Sequence, residues 1–142
     1  MKQLPLIVLM VLLLVPMLLI GGYLLVYLVM GAFAEGNAEA GRKIALDPDQ
    51  GDCVICHQVR AGDPEQQGNI GPPLMGVADR LSDADLFDRI KDSRHFNPET
   101  MMPPYGSTQD LYRVADEFKG KPILTDEEIN HVVAWLETLE AE

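Results

Sequence analysis

Positive charge is scarce in this chain: 11 Lys and Arg stand against 22 Asp and Glu, a formal net charge of −11. No basic patch and no phosphate-cradling loop occurs, so nucleic acid is excluded as a partner and nucleotide chemistry as a function. No general base stands beside a nucleophile. Alternating apolar and polar runs of useful length are missing as well, which predicts an all-α domain. Charge of either sign is absent between Lys2 and Glu35, whereas residues from Glu35 onward carry 10 basic and 22 acidic side chains, a net −12. Cysteine is almost absent, and both thiols fall within the stretch GDCVICHQV at 51–59.

The uncharged stretch sets the domain organisation. Residues 4–34 are dominated by Leu, Val, Ile and Met. As one helix they would extend roughly 45 Å at ~1.5 Å per residue, enough to cross a ~30 Å hydrocarbon core with tilt. Gly21, Gly22 and Pro16 are tolerable in such a helix, and Tyr23 and Tyr27 suit its outer interface. The sequence Ala32-Phe33-Ala34 also resembles a signal-peptide cleavage site, but the apolar run is about twice the usual ~7–15-residue core. The expectation is a single N-terminal transmembrane anchor over 1–34, or an uncleaved signal sequence, followed by a domain over 35–142. Lys2 on one flank and Glu35 on the other predict a cytoplasmic N-terminus and a domain outside, on the periplasmic side of the inner membrane. About 108 residues make one small domain, which a large covalently held ligand would help to fold.

Export bears on the thiols. In an oxidising compartment a bare C-x-x-C is a disulfide or a redox pair. A thioredoxin-type motif opens a helix after a strand, and the Ala-rich residues 37–47 before Cys53 read as helix instead. Zinc would need two of His57, His95 and His131, and the last two lie 36 apart, unlike a finger. The third reading is c-type haem attachment, for which C-x-x-C-H is the signature. Cys53 and Cys56 would bond the haem, and His57 would lie beneath the iron.

The opposite face of the iron needs a ligand, and a soft thioether there raises the potential. Met1, Met10, Met17 and Met30 belong to the apolar segment, leaving Met75, Met101 and Met102. Met102 precedes Pro103, which biases it toward extended backbone and favours a stiff loop against a flat ring. Met101 is the alternative, and His95 the weaker one. Without the haem motif, Met101-Met102 would read as core filling by adaptable side chains.

The stretches AGRKIALDPDQGDCVICHQV, GNIGPPLMGVADR, NPETMMPPYG and LYRVADEFKGKPILTDEEINHVVAWLETL cover nearly all of residues 40–139. On these, the chain resembles the class I cytochromes c, and among them the SoxX family, the monohaem subunits of SoxAX complexes of sulfur oxidation. The resemblance implies one covalently attached haem c, thioether bonds from Cys53 and Cys56, and axial ligands His57 and Met102. It further implies that the Pro72 carbonyl accepts the proximal histidine's N–H, that Leu74 packs on the ring, and that Arg80 pairs with a haem propionate.

Two helices are predicted from the residues alone. Ser82 with Asp85 caps a helix in which Leu86 and Ile90 share a face. Thr125 with Glu128 forms a capping box ahead of a stripe of Ile129, Val132, Val133, Leu136 and Leu139. His131 falls off that stripe and reads as surface, while Trp135 reads as a core anchor; by resemblance it packs where first and last helices cross, near Gly41. A third helix is expected where Leu111, Val114, Ala115 and Phe118 recur at helical spacing before Gly120. It serves either as packing over the Met loop or as a docking surface, with Tyr105, Leu111, Tyr112 and Phe118 as candidate anchors and Tyr112 the one off the stripe.

What the chain lacks then limits its function. With both thiols bonded to haem, no cysteine remains to carry a sulfur adduct, and an iron ligated on both faces has no open position. Single-electron transfer is left. The resemblance implies the redox subunit of an L-cysteine S-thiosulfotransferase: SoxAX couples thiosulfate oxidatively to a cysteine of the SoxYZ carrier protein. The reactive cysteine would belong to a SoxA-like cytochrome subunit, and a downstream acceptor would take the electrons. The alternative is a membrane-anchored shuttle between respiratory complexes, whose acidic face would steer it toward basic partners.

Overall fold

The computed structural model describes Leu12 and residues 14–23, 36–60 and 67–141. The chain forms two compact units, Met1–Ala34 and Glu35–Glu142. In the first, residues 14–23 are helical, a length of about 15 Å, half of a hydrocarbon core. Among the described residues no helix is long and apolar enough to cross a membrane. The transmembrane helix expected over 1–34 is therefore not found there, and the rest of that segment lies outside the described residues.

The second unit is built from three helices, α1 (Ala38–Leu46), α2 (Asp83–Asp92) and α3 (Asp126–Leu136), with long connections that carry the chemistry. No strand occurs among the described residues. Helix α1 starts because the Asn37 side chain accepts the Ala40 N–H at 2.9 Å. Its end comes at Asp47, where the backbone turns extended just before Pro48. Helices α2 and α3 begin at the two predicted caps: Ser82 accepts the Asp85 N–H at 3.2 Å, and Thr125 and Glu128 exchange both bonds of a capping box. Acidic first turns in both suit the positive end of the helix dipole.

The core forms where α1 crosses α3. Ile44 and Ala45 of α1 are buried against Ile129, Val132, Val133, Trp135 and Leu136 of α3. Gly41 makes the crossing possible: a Cβ there would collide with the His131 carbonyl and lie 2.8 Å from the Val132 nitrogen. Trp135 is buried close by. His131 is not plain surface, because its Nδ1 accepts the Asn37 N–H at 3.0 Å and ties α3 to the cap of α1. Periodicity marks the apolar face of α3 but is blind to a bond between residues 94 apart.

The helix expected around 111–118 is absent. Only a 3₁₀ turn at Asp116–Phe118 forms, and Asp110 and Arg113 take left-handed backbone at φ 51° and 61°. The physical reason lies in α2. Buried Asp92 binds Arg94 Nη2 at 2.6 Å, and the same guanidinium donates to the carbonyls of Gln109 at 2.9 Å and Asp110 at 3.2 Å. That clamp fixes the chain at the entry to 111–118, where the left-handed Asp110 and Arg113 interrupt a helical path.

Candidate haem-binding site

The thiols sit where the chain reverses after α1. Asp52 adopts left-handed backbone (φ 42°), a conformation Asp tolerates better than most residues, and starts a 3₁₀ turn at Cys53–Ile55. The Cys53 carbonyl accepts the N–H groups of Cys56 at 3.3 Å and His57 at 2.9 Å. One turn thus gathers both cysteines and the histidine. The cysteines are not bonded to each other. Burial first, and the charge of Asp52 second, push the Cys53 thiol up to about 11. Among the described residues no three His, Cys, Asp or Glu side chains converge, and His95 lies exposed after α2.

A second segment runs alongside. Gly68 donates to the Val54 carbonyl at 2.7 Å, Gly71 to Cys56 at 2.8 Å and Leu74 to Gln58 at 2.9 Å. The Gln67 Oε1 accepts the Val59 N–H at 2.6 Å. This pairing delivers the Pro72 carbonyl to the imidazole, where it accepts from His57 Nδ1 at 2.7 Å. Because a carbonyl can only accept, that nitrogen carries the proton and Nε2 keeps its lone pair for a metal. Gly71 lies against the ring, where a Cβ would come within 2.7 Å of Nε2 and closer still to Nδ1. Leu74 is half-buried and packs on the core.

Arg80 holds the loop that follows. Its Nη1 donates to the carbonyls of Met75 at 2.9 Å and Gly76 at 3.0 Å, and its Nη2 to that of Pro73 at 3.0 Å. Three of its five N–H groups are thus spent on backbone, a role that its spacing from Gly71-Pro72 does not reveal.

The methionines separate cleanly. Met101 is 80% exposed, whereas Met102 is half-buried against the core, with its N–H bonded to Thr100 Oγ1 at 3.2 Å. After Pro103 and Pro104 the loop is anchored by Tyr105, which the sequence marked only as an interface candidate. Tyr105 N–H donates to the Ile90 carbonyl at 3.3 Å, and its hydroxyl reaches the Gly51 carbonyl at 2.7 Å. Burial, then the nearby Cys53 and Cys56, raise its hydroxyl pKa far above the usual value. The Met loop, the end of α2 and the cysteine turn are thereby stapled together by one residue, through its backbone N–H and its hydroxyl.

A profile of the cytochrome c family matches residues 38–140. The chain belongs to the cytochrome c family. It is similar to a chain in the crystal structure of SoxXA from P. pantotrophus, with 36% identity and a TM-score of 0.67 over 75% of this chain and 83% of that one. Among curated protein sequences there is no match. The cytochrome is of the SoxX type, and it carries a covalently bound haem c.

The residues present fit that group. Two unbonded thiols share a turn with an imidazole whose Nε2 lone pair is kept available by Pro72, and Gly71 leaves the ring unobstructed. A thioether is held half-buried on a Pro-stiffened loop, and N/S donor sets of this kind suit iron.

Proposed function

We propose that this cytochrome is the electron-accepting subunit of a SoxAX-type complex, in which thiosulfate is coupled oxidatively to a cysteine of a SoxYZ-type carrier. Joining a thiol to thiosulfate makes one S–S bond and releases one proton and two electrons. The haem c supplies one-electron redox capacity, so this chain passes the two electrons singly. Cys53 and Cys56 hold it by thioether bonds, His57 and Met102 are its axial ligands, and Leu74 packs against it. Pro72 fixes the imidazole tautomer, and Arg80 fixes the 73–76 loop that follows Pro72. No thiol is left in this chain, so the cysteine that handles sulfur belongs to the SoxA-like partner.

The observation that carries this reading is the likeness to a SoxXA chain at 36% identity over 75% of the sequence. The site supports it with two thiols and an imidazole gathered in one turn and a thioether half-buried on a Pro-stiffened loop. The same reading places the domain in the periplasm, with the uncharged 1–34 segment as membrane anchor and the N-terminus in the cytoplasm.

The test is reconstitution. Purified haem-loaded chain is mixed with a SoxA-like subunit, carrier protein and thiosulfate, and its absorption spectrum is followed. Reduction that depends on all three additions is expected. A spectrum that stays oxidised with every component present, yet reduces rapidly with a respiratory donor complex, overturns the proposal in favour of the shuttle.

A further inference from the structure

Among the described residues, several basic side chains of this acidic domain have their donors engaged. Arg80 is spent on three carbonyls, Lys91 pairs with Asp126 at 2.8 Å, and Arg94 binds Asp92 and the 109–110 carbonyls. Arg89 differs. Its Nε is buried and has no hydrogen-bond partner among the described residues. A buried donor left unmade costs ~1–3 kcal/mol, and more when it belongs to a charged group. Such an atom is tolerated where something outside the chain completes it.

Its placement indicates what that is. On α2, Arg89 lies beside the buried stripe: Leu86 is three residues before it, and Ile90 and Ser93 come one and four after, all buried. Ile90 offers the carbonyl that receives the Met loop through Tyr105, whose hydroxyl in turn binds Gly51 at the start of the cysteine turn. Arg89 thus directly precedes the residue that receives the Met loop, and the elements tied together there are those that would surround the haem. Phe96 holds the guanidinium, with its ring centroid 4.1 Å from Cζ. This stacking fixes the plane of the fork without using any of its N–H groups. Asp85, one turn earlier, is lowered chiefly by hydrogen bonds from Ser82 and least by the charge of Arg89, and its Oδ2 accepts the Ser82 hydroxyl at 2.6 Å.

We infer that Arg89 is a positioning residue for the cofactor: its buried Nε–H, held in place by Phe96, donates to a carboxylate of the covalently bound haem. A charged N–H pairs best with an anionic acceptor, and a haem carries two carboxylates on one edge. This inference rests on the haem-binding reading of the Cys53–His57 turn, and it moves the carboxylate contact from Arg80 to Arg89. The consequence is electrostatic. A cation at the haem carboxylate opposes the extra positive charge of the oxidised iron, so it raises the reduction potential.

The test uses full-length haem-loaded protein and spectroelectrochemical titration. Arg89→Gln and Arg89→Met both remove the charge and keep much of the stem, so either loaded variant suffices. Each should raise the oxidised-to-reduced ratio at fixed ambient potential at least threefold, about 28 mV at 59 mV per tenfold for one electron. Each should also move the pH at which the potential begins to fall upward, because the carboxylate loses its cation. Arg89→Lys should restore most of the parent ratio. Lys43→Gln, on the exposed face of α1, should leave it unchanged. An unaltered ratio and pH profile in a loaded Arg89→Gln or Arg89→Met protein, with only thermal stability reduced, overturns the inference. So does a larger shift from Arg80→Gln than from either Arg89 variant. Absence of covalent haem from the parent protein would instead sink the haem-binding reading itself, so the two failures are distinguishable.

Discussion

Burial separates two adjacent methionines that sequence alone leaves nearly equivalent. Met101 points to solvent at 80% exposure, while Met102 packs on the core with its backbone fixed by Thr100. Met102→Ala should therefore keep haem attached, abolish the thioether-to-iron absorption band of the oxidised protein and lower the reduction potential. Met101→Ala should change neither. The reverse pattern in the visible spectra would transfer the ligand role to Met101. The same scale shows what a sequence can and cannot disclose. The turn that gathers Cys53, Cys56 and His57, and the Pro72 carbonyl on the imidazole, were legible because the pattern is local, a pentapeptide and a Gly-Pro pair. The Arg80 clamp on Pro73, Met75 and Gly76 was not, since any Arg near a Gly-rich loop carries several acceptors within reach.

Helices α2 and α3 were readable from their caps and apolar stripes, but what joins the elements was not. The Tyr105 hydroxyl finds Gly51 across 54 residues, and His131 finds Asn37 across 94; no spacing rule reaches that far. The 111–118 periodicity misled because Asp110 and Arg113 take left-handed backbone, with Arg94 holding the Gln109 and Asp110 carbonyls at the start of the stretch. Two measurements test this level. Gly41→Ala drives a Cβ into the His131 carbonyl at the α1–α3 crossing, so the helices must part. A loss of ~1–3 kcal/mol or more is expected, seen as a lower denaturation midpoint with unchanged m-value. Asp92 supplies the second. Hydrogen bonds from Arg94, and beyond the opposing effect of burial its charge, hold the carboxyl down to about 2. A group whose pKa is depressed on folding contributes stability above its unfolded pKa, about 3.9, and loses it as pH falls through the folded value. Asp92→Asn should thus cost about 1–2 kcal/mol at pH 7, and the gap from the parent should close between pH 4 and 2. A gap that persists at pH 2 would assign the loss to packing instead of charge.

For the whole molecule, residues from Glu35 onward carry a net −12, so long-range attraction draws the domain toward basic surfaces while short-range apolar contact must fix the docked geometry. The 105–124 connection offers that contact without being a helix. Tyr105 is unavailable, its hydroxyl turned in to Gly51, and Leu111 is half-buried. Tyr112 stands out at 87% exposure with Arg113 beside its ring at 5.6 Å. An exposed aromatic flanked by Arg, on a loop whose Gln109 and Asp110 carbonyls Arg94 holds, resembles the residues that dominate interface energies. Tyr112→Asp should leave the haem spectrum intact, because the ring touches none of the proposed ligands. It should weaken binding to a SoxA-like subunit at least tenfold, about 1.4 kcal/mol, and slow thiosulfate-dependent reduction in parallel. Raising salt should slow association of parent and variant alike, since screening acts on the shared charge and not on the ring. Equal affinities for the two proteins at every ionic strength would remove Tyr112 from the interface and leave steering by net charge as the part of this argument still standing.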